Sequence, residues 1–300
     1  MTLSGGPGSS PAAAVKRGRT KGGPGTGSFG TFLSAGKKYL PVRWMGGRVM
    51  GLDIERRYDL DRGLTRRYTE IAQYFRRALT SEEIASVVEF GAGSGAFTIP
   101  LIKALGRELS VYHCVDMFEG PYRGNERELG SRIKEEGLEE IVSLHIMDAR
   151  VIGVHFEGVD LIIGHDVLGD MDEQMIGELM SSAYSALRDG GIFIHAGISN
   201  ETVNPSQELL IEMDSYYSGE RLRETPWFSP DDGTLMTLSG DAGFAEFDID
   251  HISIPLRIRG DALELLARRW NIDKRFFREH TEASDTGIEF PKEQILLCRK

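Results

Sequence analysis

The chain has 300 residues, of which 40% are hydrophobic, so it is long and apolar enough for one large domain with a buried core. Its net charge of −11 argues against a protein that coats nucleic acid or an anionic membrane with its whole surface. The two cysteines lie in separate apolar runs and argue against a disulfide framework, and the lack of a long apolar stretch or a signal-like leader predicts a cytoplasmic protein.

The first part of the chain differs in kind from the rest. Residues 1–30 consist mainly of Gly, Pro, Ala, Ser and cations with almost nothing to bury, which predicts a flexible basic arm. Residues 31–80 are predicted to form an N-terminal cap segment. That segment ends in a helix from about Leu64 to Leu79, where apolar side chains recur at helical spacing.

From residue 86 onward, apolar strand patterns and helical patterns alternate. The predicted strands are, in order, SVVEF, SVYHCVD, IVSLHIMD, VDLIIGHD and GGIFIHAGI. The predicted helices are AFTIPLIKALG, GNERELGSRIKEEG and DEQMIGELMSSAYSAL. Such alternation predicts an α/β fold in which a doubly wound, mostly parallel sheet is covered by helices on both faces.

The pattern becomes less regular after the fifth of these strands. We expect an irregular helical stretch over residues 205–222, a short helix after PWFSPDDG and a strand near residues 247–258. Helices over residues 261–280 and a final strand, QILLCRK, complete the prediction.

A glycine-rich turn follows the first strand of the alternating region, in VVEFGAGSGAF. Gly91, Gly93 and Gly95 fit the pattern G-x-G-x-G, whereas Gly91, Gly93 and Ala96 fit the dinucleotide pattern G-x-G-x-x-A. Taken alone, the turn therefore predicts a ligand crevice at the carboxyl edge of the sheet without identifying the ligand.

The acidic residues near the turn help to distinguish between the possible ligands. Glu89 precedes it, and a carboxylate at the crevice mouth would repel a pyrophosphate and attract the ammonium and sulfonium groups of S-adenosylmethionine (SAM). Asp116, which ends the second strand, suits the ribose hydroxyls of either ligand. Asp148 and Ala149, which close the third strand, suit an adenine edge.

These motifs, in this order, resemble those of the class I (Rossmann-like) SAM-dependent methyltransferases, with VVEFGAGSG, VYHCVD, IMDA, VDLIIGHDVLGD and ALRDGGIFIHAGI as the matching segments. The resemblance implies a three-layer fold over residues 81–300, with a seven-stranded sheet, an antiparallel last strand and helical lid insertions at about 200–228 and 260–283. It also implies that SAM contacts Glu89, Gly91, Gly93, Gly95, Asp116, Met117, Asp148, Ala149 and His165.

His165 and Asp166 follow the fourth strand directly and are the candidate catalytic pair, because a base at this edge could take a proton from the methyl acceptor. The opposite interpretation is that His165 only packs on the adenosine and that Asp166 caps a turn. Four aromatic residues are the candidates for binding the acceptor: Tyr216, Tyr217, Trp227 and Phe228. His113, His145 and His155 show no paired spacing, so we expect no metal site.

The leading functional hypothesis is methylation of a small molecule on an oxygen, nitrogen or carbon atom. One alternative is a protein methyltransferase of the arginine type, in which an acidic loop with Asp166, Asp170 and Asp172 would hold a guanidinium. A second is an RNA methyltransferase that uses the basic arm. A non-catalytic partner subunit and a NAD-dependent oxidoreductase are the remaining hypotheses.

Overall fold

The computed structural model describes residues 51–119, 123–218 and 230–300. The predicted basic arm and the first part of the cap segment lie outside these residues. None of the helices in the described ranges combines the length and the hydropathy that a membrane span requires.

Ten strands form in the described ranges, and seven of them build the central sheet. The strands are β1 (Leu52–Ile54), β2 (Ser86–Phe90), β3 (Val111–Asp116), β4 (Val142–Ile146), β5 (Val159–His165), β6 (Leu187–Ile198), β7 (Glu246–Ile252), β8 (Leu256–Ile258), β9 (Ile288–Glu289) and β10 (Glu293–Arg299). The order in the central sheet is β4-β3-β2-β5-β6-β10-β7. Strand β10 runs antiparallel to both of its neighbours. The prediction of a mostly parallel, seven-stranded sheet with an antiparallel last strand is confirmed.

Helices cover both faces of this sheet. They are α1 (Leu60–Ala78), α2 (Thr98–Leu105), α3 (Asn125–Glu135), α4 (Ile152–His155), α5 (Glu173–Ala186), α6 (Pro205–Asp214), α7 (Asp232–Asp241), α8 (Gly260–Arg269), α9 (Arg275–Glu279) and α10 (Ala283–Thr286). One apolar core joins α1 and α2 to one face of the sheet, through Ile71, Phe75 and Leu101. A second core joins α5 to the other face through Leu179 and Met180, which gives the three layers.

A second, three-stranded sheet lies beside the central one, with the order β1-β8-β9. The sequence predicted one strand near residues 247–258, and this prediction was wrong: β7 ends at Ile252 and β8 begins at Leu256 in the other sheet. Pro255 stands between them, and a proline has no amide hydrogen to donate to a strand ladder. A third apolar core, with Leu263 and Phe276, packs under this sheet.

Candidate functional site

The glycine turn connects β2 to α2, and its amide groups bond within the protein. Gly91 N–H donates to the Val115 carbonyl oxygen at 2.8 Å. Gly93 N–H donates to a carboxylate oxygen of Asp116 at 2.9 Å, and Gly95 N–H donates to the Ala92 carbonyl oxygen at 2.9 Å. A loop that binds phosphate needs such amides free to point at the ligand. These three donors are already used, which disfavours a pyrophosphate at this turn.

The three glycines serve different purposes. At Gly93, where φ is +51°, a Cβ would have no neighbour nearer than 3.9 Å, so the chain passes the ligand space without filling it. At Gly91, where φ is +68°, a Cβ would lie 2.2 Å from a methyl carbon of Val167. At Gly95 it would lie 2.7 Å from Leu129. Gly95 is also not among the described residues that line the cavity, so its prediction as a cofactor contact is replaced by close packing against α3.

A cavity of about 410 Å³ opens at the carboxyl ends of β2, β3 and β5. It is lined by the glycine turn and Asp116 and also by His165 and Asp166. Binding sites for small molecules typically measure about 300 to 1,000 Å³. The cavity therefore has the size and the position that the doubly wound fold reserves for a ligand.

Asp116 keeps hydrogen-bonding capacity that a ligand could use. One carboxylate oxygen accepts from Gly93 N–H at 2.9 Å, and the other accepts from Phe118 N–H at 2.7 Å. A carboxylate has about four lone-pair sites, so each oxygen can accept one further hydrogen bond. Burial raises the pKa of Asp116. The residue therefore suits a neutral ligand with two hydroxyl groups, such as a ribose.

Asp148 lines the cavity, but its carboxylate is occupied. Both of its oxygens accept from the guanidinium of Arg150, at distances between 2.6 and 3.1 Å, and one also accepts from Arg150 N–H at 2.8 Å. The hydrogen bonds from Arg150 lower the pKa of Asp148. The expected hydrogen bond from an adenine amine to Asp148 would require the Arg150 guanidinium to give up one of its hydrogen bonds to this carboxylate. Met117 and Ala149 line the cavity.

Glu89 lies below the turn and away from the mouth of the crevice. It is 1% exposed, accepts from the Tyr112 hydroxyl at 2.8 Å and is not among the described residues that line the cavity. Burial raises its pKa to about 7. The expectation that the Glu89 carboxylate faces the ligand is therefore wrong, because β2 points this side chain into the core.

His165 is held by aromatic rings at the end of β5. Its imidazole stacks on Phe97, with 4.8 Å between ring centroids and an angle of 24° between the planes. Tyr68 of α1 meets the same ring edge-on at 5.4 Å. Burial lowers the pKa of His165 to about 4, so its imidazole is neutral at physiological pH.

Asp166 adopts an unusual backbone conformation beside this histidine. Its φ is +54°, which L-residues rarely adopt, and Oδ2 of its carboxylate lies 3.2 Å from His165 Nδ1. Its other oxygen accepts from Ile198 N–H at 3.2 Å, and burial raises its pKa to about 6. His195 stabilises the turn that follows, because its Nε2 accepts from the amides of Val167 and Leu168 at 3.3 and 3.2 Å.

A buried ion pair lies close to His165. Arg67 of α1 and Glu293 of β10 form it, with exposed side-chain fractions of 2% and 0%. Arg67 also donates to the Ile254 carbonyl oxygen at 2.8 Å and lies over the ring of Phe290 at 4.5 Å from its centroid. His165 Nε2 is 4.0 Å from the second carboxylate oxygen of Glu293.

The spacing of three of these side chains is compatible with a metal ion as well as with a proton. One donor atom each from His165, Asp166 and Glu293 lies within 4.8 Å of the others. Elsewhere, the parallel pairing of β3 and β4 brings His113 Nδ1 to 3.0 Å from His145 Nε2. The two histidines are thus neighbours even though their spacing in the sequence gave no sign of it.

The predicted acceptor-binding aromatics lie elsewhere or outside the described residues. Tyr216 donates to Glu279 at 2.6 Å and packs on Phe276, and neither Tyr216 nor Tyr217 is among the described residues that line the cavity. Helix α6 ends before them, and Tyr216 packs against the third apolar core. Trp227 and Phe228 lie outside the described residues.

Two other aromatic residues line the cavity instead. They are Trp270 and Phe290, whose ring centroids are 6.2 Å apart. Both come from the C-terminal part of the chain, where the sequence predicted a helical lid insertion at about 260–283 without singling out either residue. Tyr68 belonged to the predicted apolar stripe of α1, so helical periodicity placed it on a buried face but did not reveal that this face continues into the cavity.

Two residues of the predicted acidic loop, Asp170 and Asp172, have different surroundings. Asp170 lines the cavity. The carboxylate of Asp172 accepts from Met175 N–H at 2.8 Å and caps α5. Asp172 is therefore engaged by its own helix.

Solved structures share this architecture at low sequence identity. YcgJ from Bacillus subtilis superposes with a TM-score of 0.56 at 14% identity, over 77% of this chain and 98% of that protein. An O-methyltransferase candidate from Nostoc punctiforme PCC 73102 gives 0.52 at 14% identity, over 77% of this chain but only 56% of its own length. A protein from Bordetella parapertussis gives 0.51 at 15% identity, over 77% and 67%. No protein-family model and no curated protein matches the sequence.

Proposed function

We propose, from a chain that has the class I SAM-dependent methyltransferase fold, that this protein methylates a hydroxyl group of a small, flat, largely apolar molecule with SAM as the methyl donor. One observation carries the proposal. One cavity is lined both by the glycine turn and Asp116 and by the His165–Asp166 pair. A donor and an acceptor bound in one such cavity would be held close enough to react.

The glycine turn and the residues that follow β3 and β4 fit SAM. Gly93 leaves space because it has no side chain, and each carboxylate oxygen of Asp116 can accept one further hydrogen bond. Met117 and Ala149 line the same cavity. SAM, when bound, supplies a methyl group on a positively charged sulfur that is already a good leaving group. The protein therefore needs to align the acceptor and to remove its proton.

The aromatic residues of the cavity suit an aromatic acceptor. Trp270, Phe290 and Tyr68 offer ring faces and edges, and Ile198 adds an aliphatic surface. Rings of this kind favour a flat apolar molecule by burying its surface and by edge-to-face contacts. This concave aromatic lining supports a small molecule over a protein or RNA chain as the acceptor.

A hydroxyl is favoured as the methylated group because a base is present where the acceptor would lie. A hydroxyl must lose a proton when it is methylated, whereas many carbon and neutral amine nucleophiles need less help. His165 is neutral, and Asp166 Oδ2 is 3.2 Å from its Nδ1, so the pair can take up that proton. His165 and Asp166 are thus the proposed catalytic residues.

Calorimetric titration with SAM, S-adenosylhomocysteine and NAD tests the cofactor. We expect binding of the first two and none of NAD. A screen of phenols, aliphatic alcohols, thiols and amines with methyl-labelled SAM then tests the acceptor. Binding of NAD alone would overturn the proposal, and methylation of amines or carbon with no reaction of hydroxyl compounds would overturn the proposed acceptor.

A further inference from the structure

Two buried polar atoms face each other beside the cavity without a partner among the described residues. His165 Nε2 and Glu293 Oε2 are 4.0 Å apart, and within residues 51–119, 123–218 and 230–300 neither makes a hydrogen bond. Glu293 is fully buried at the start of β10, where only its other carboxylate oxygen bonds to Arg67. An unsatisfied buried polar atom costs free energy, so such a pair calls for a physical explanation.

The number of protons on the imidazole explains why His165 Nε2 and Glu293 Oε2 form no hydrogen bond. A neutral imidazole carries one N–H, which can be donated either to Asp166 or to Glu293. If Nδ1 donates to Asp166, the lone pair of His165 Nε2 faces a carboxylate oxygen of Glu293. If Nε2 donates to Glu293, the lone pair of Nδ1 faces Asp166. In either tautomer two acceptors oppose each other, and one added proton turns that contact into a hydrogen bond.

We infer that Glu293 is a positioning residue that makes the His165–Asp166 pair take up one proton, so that the cluster of Arg67, His165, Asp166 and Glu293 receives the proton released by the acceptor. This inference rests on the proposed function for the origin of the proton. The proton passes from the acceptor oxygen to the cluster during methyl transfer and leaves for solvent afterwards. Glu293 acts through His165 and need not touch the acceptor.

The charges of the cluster favour a proton over a metal ion. Arg67 contributes one positive charge, and the two carboxylates contribute two negative charges. One added proton makes the buried cluster neutral, whereas a divalent cation would leave it positive beside a guanidinium that is only 2% exposed. The bond from Arg67 to Glu293 also occupies one of the oxygens that a cation would need.

The other titratable groups around His165 are not expected to take up this proton near neutral pH. Burial raises the pKa of Tyr68, so its hydroxyl remains neutral. Burial lowers the pKa of His195 to about 3, and its Nε2 already accepts from two backbone amides. Asp170 raises the pKa of Asp166 through its charge and thereby adds to the proton affinity of the pair.

Titration of His165 by ¹⁵N NMR in the ligand-free protein tests the inference independently of methyl transfer. We expect Glu293→Gln to move the apparent pKa of the His165 resonances downward by about one to three pH units, because a negative charge close to the imidazole is lost. The acid limb of the kcat profile should move by the same amount. The KM for the acceptor and the affinity for S-adenosylhomocysteine should stay unchanged.

Glu82→Gln is the matched control, because Glu82 also bonds to an arginine, Arg299, at 3.0 Å, but lies outside the cluster. It should leave the His165 titration in place, and Glu293→Asp should restore part of the shift. If Glu293→Gln does not fold, the wild-type protein still decides: His165 resonances that do not titrate between pH 3 and 9 overturn the inference. So does a folded Glu293→Gln variant with an unchanged titration. A shift of the wild-type resonances by Mg²⁺ or Zn²⁺ that EDTA reverses would replace the proton with a metal ion.

Discussion

The ring of His165 lies almost parallel to that of Phe97, with 4.8 Å between the centroids. Phe97 precedes the first residue of α2, so the helix that follows the glycine turn also fixes the orientation of the imidazole. The glycine turn and the His165 imidazole are thus connected through a segment only a few residues long. The proposed base is oriented by packing, while burial lowers its pKa and the charge of Glu293 raises it.

Replacing the base should slow turnover while leaving cofactor binding intact. We expect His165→Ala to reduce kcat by roughly 10²-fold, because general-base catalysis contributes about that much, and Asp166→Asn to act in the same direction. Steady-state kinetics on the identified acceptor, with calorimetric titration of S-adenosylhomocysteine as the control, checks this. Normal turnover in both variants, or a loss confined to cofactor affinity, would make the pair structural.

Asp116 is expected to carry a substantial share of the cofactor affinity. Asp116→Ala should weaken SAM binding by about 1 to 3 kcal/mol, the usual effect of losing hydrogen bonds to a charged group. Asp241→Ala, at an exposed position at the end of α7, is the control and should bind normally. Because Asp116 also accepts from Gly93 N–H, the melting temperature must be measured alongside. Unchanged affinity would remove Asp116 from the site.

The aromatic wall can be tested by a pair of substitutions. Trp270→Ala should raise the KM for the acceptor by about 10- to 100-fold, since a large apolar contact surface is lost, while SAM affinity stays constant. Tyr216→Phe removes only the hydroxyl that bonds to Glu279 and should leave the KM unchanged. The reverse result, a large effect at Tyr216 and none at Trp270, would restore the acceptor site that the sequence predicted.

Glu89 should make stability depend on pH. Its pKa is about 7 in the folded protein, above the ordinary value of 4.5, so its contribution to stability is fully present below pH 4.5 and is lost as the pH rises through 7. Relative to Glu89→Gln, the wild type should therefore lose about 3 kcal/mol of unfolding free energy between pH 4.5 and pH 8. Urea unfolding of both proteins at several pH values measures this difference. Parallel curves would show that Glu89 has the same pKa in the folded and the unfolded protein.

Most of the central sheet was predictable because its strands have a recognisable pattern in the local sequence. Segments such as SVVEF and VDLIIGHD are short apolar runs between turn signals, and the strands β2 and β5 lie where these runs lie. The strands β1 and β9 have only three and two residues, too few to show a period. They form because β8 lies between them and pairs with both.

The site was predictable only where it depends on local sequence. His165, Asp166 and Asp116 end strands, and the ends of parallel strands meet at one edge of the sheet. Arg67 and Glu293 are 226 residues apart, and each looks like an ordinary surface charge in its own segment. Their burial follows from the packing of α1 against the start of β10, which no local pattern records.

The position of β10 also affects the order in which the parts of the protein can fold during synthesis. Strand β10 is inserted between β6 and β7, and it is the last of the described strands to be synthesised. On a ribosome, β2 to β6 can pair first and bring together Asp116, His165 and Asp166. Glu293 arrives only when β10 enters the sheet. The nascent chain is therefore expected to form the proposed cofactor site before the proposed proton-accepting cluster is complete.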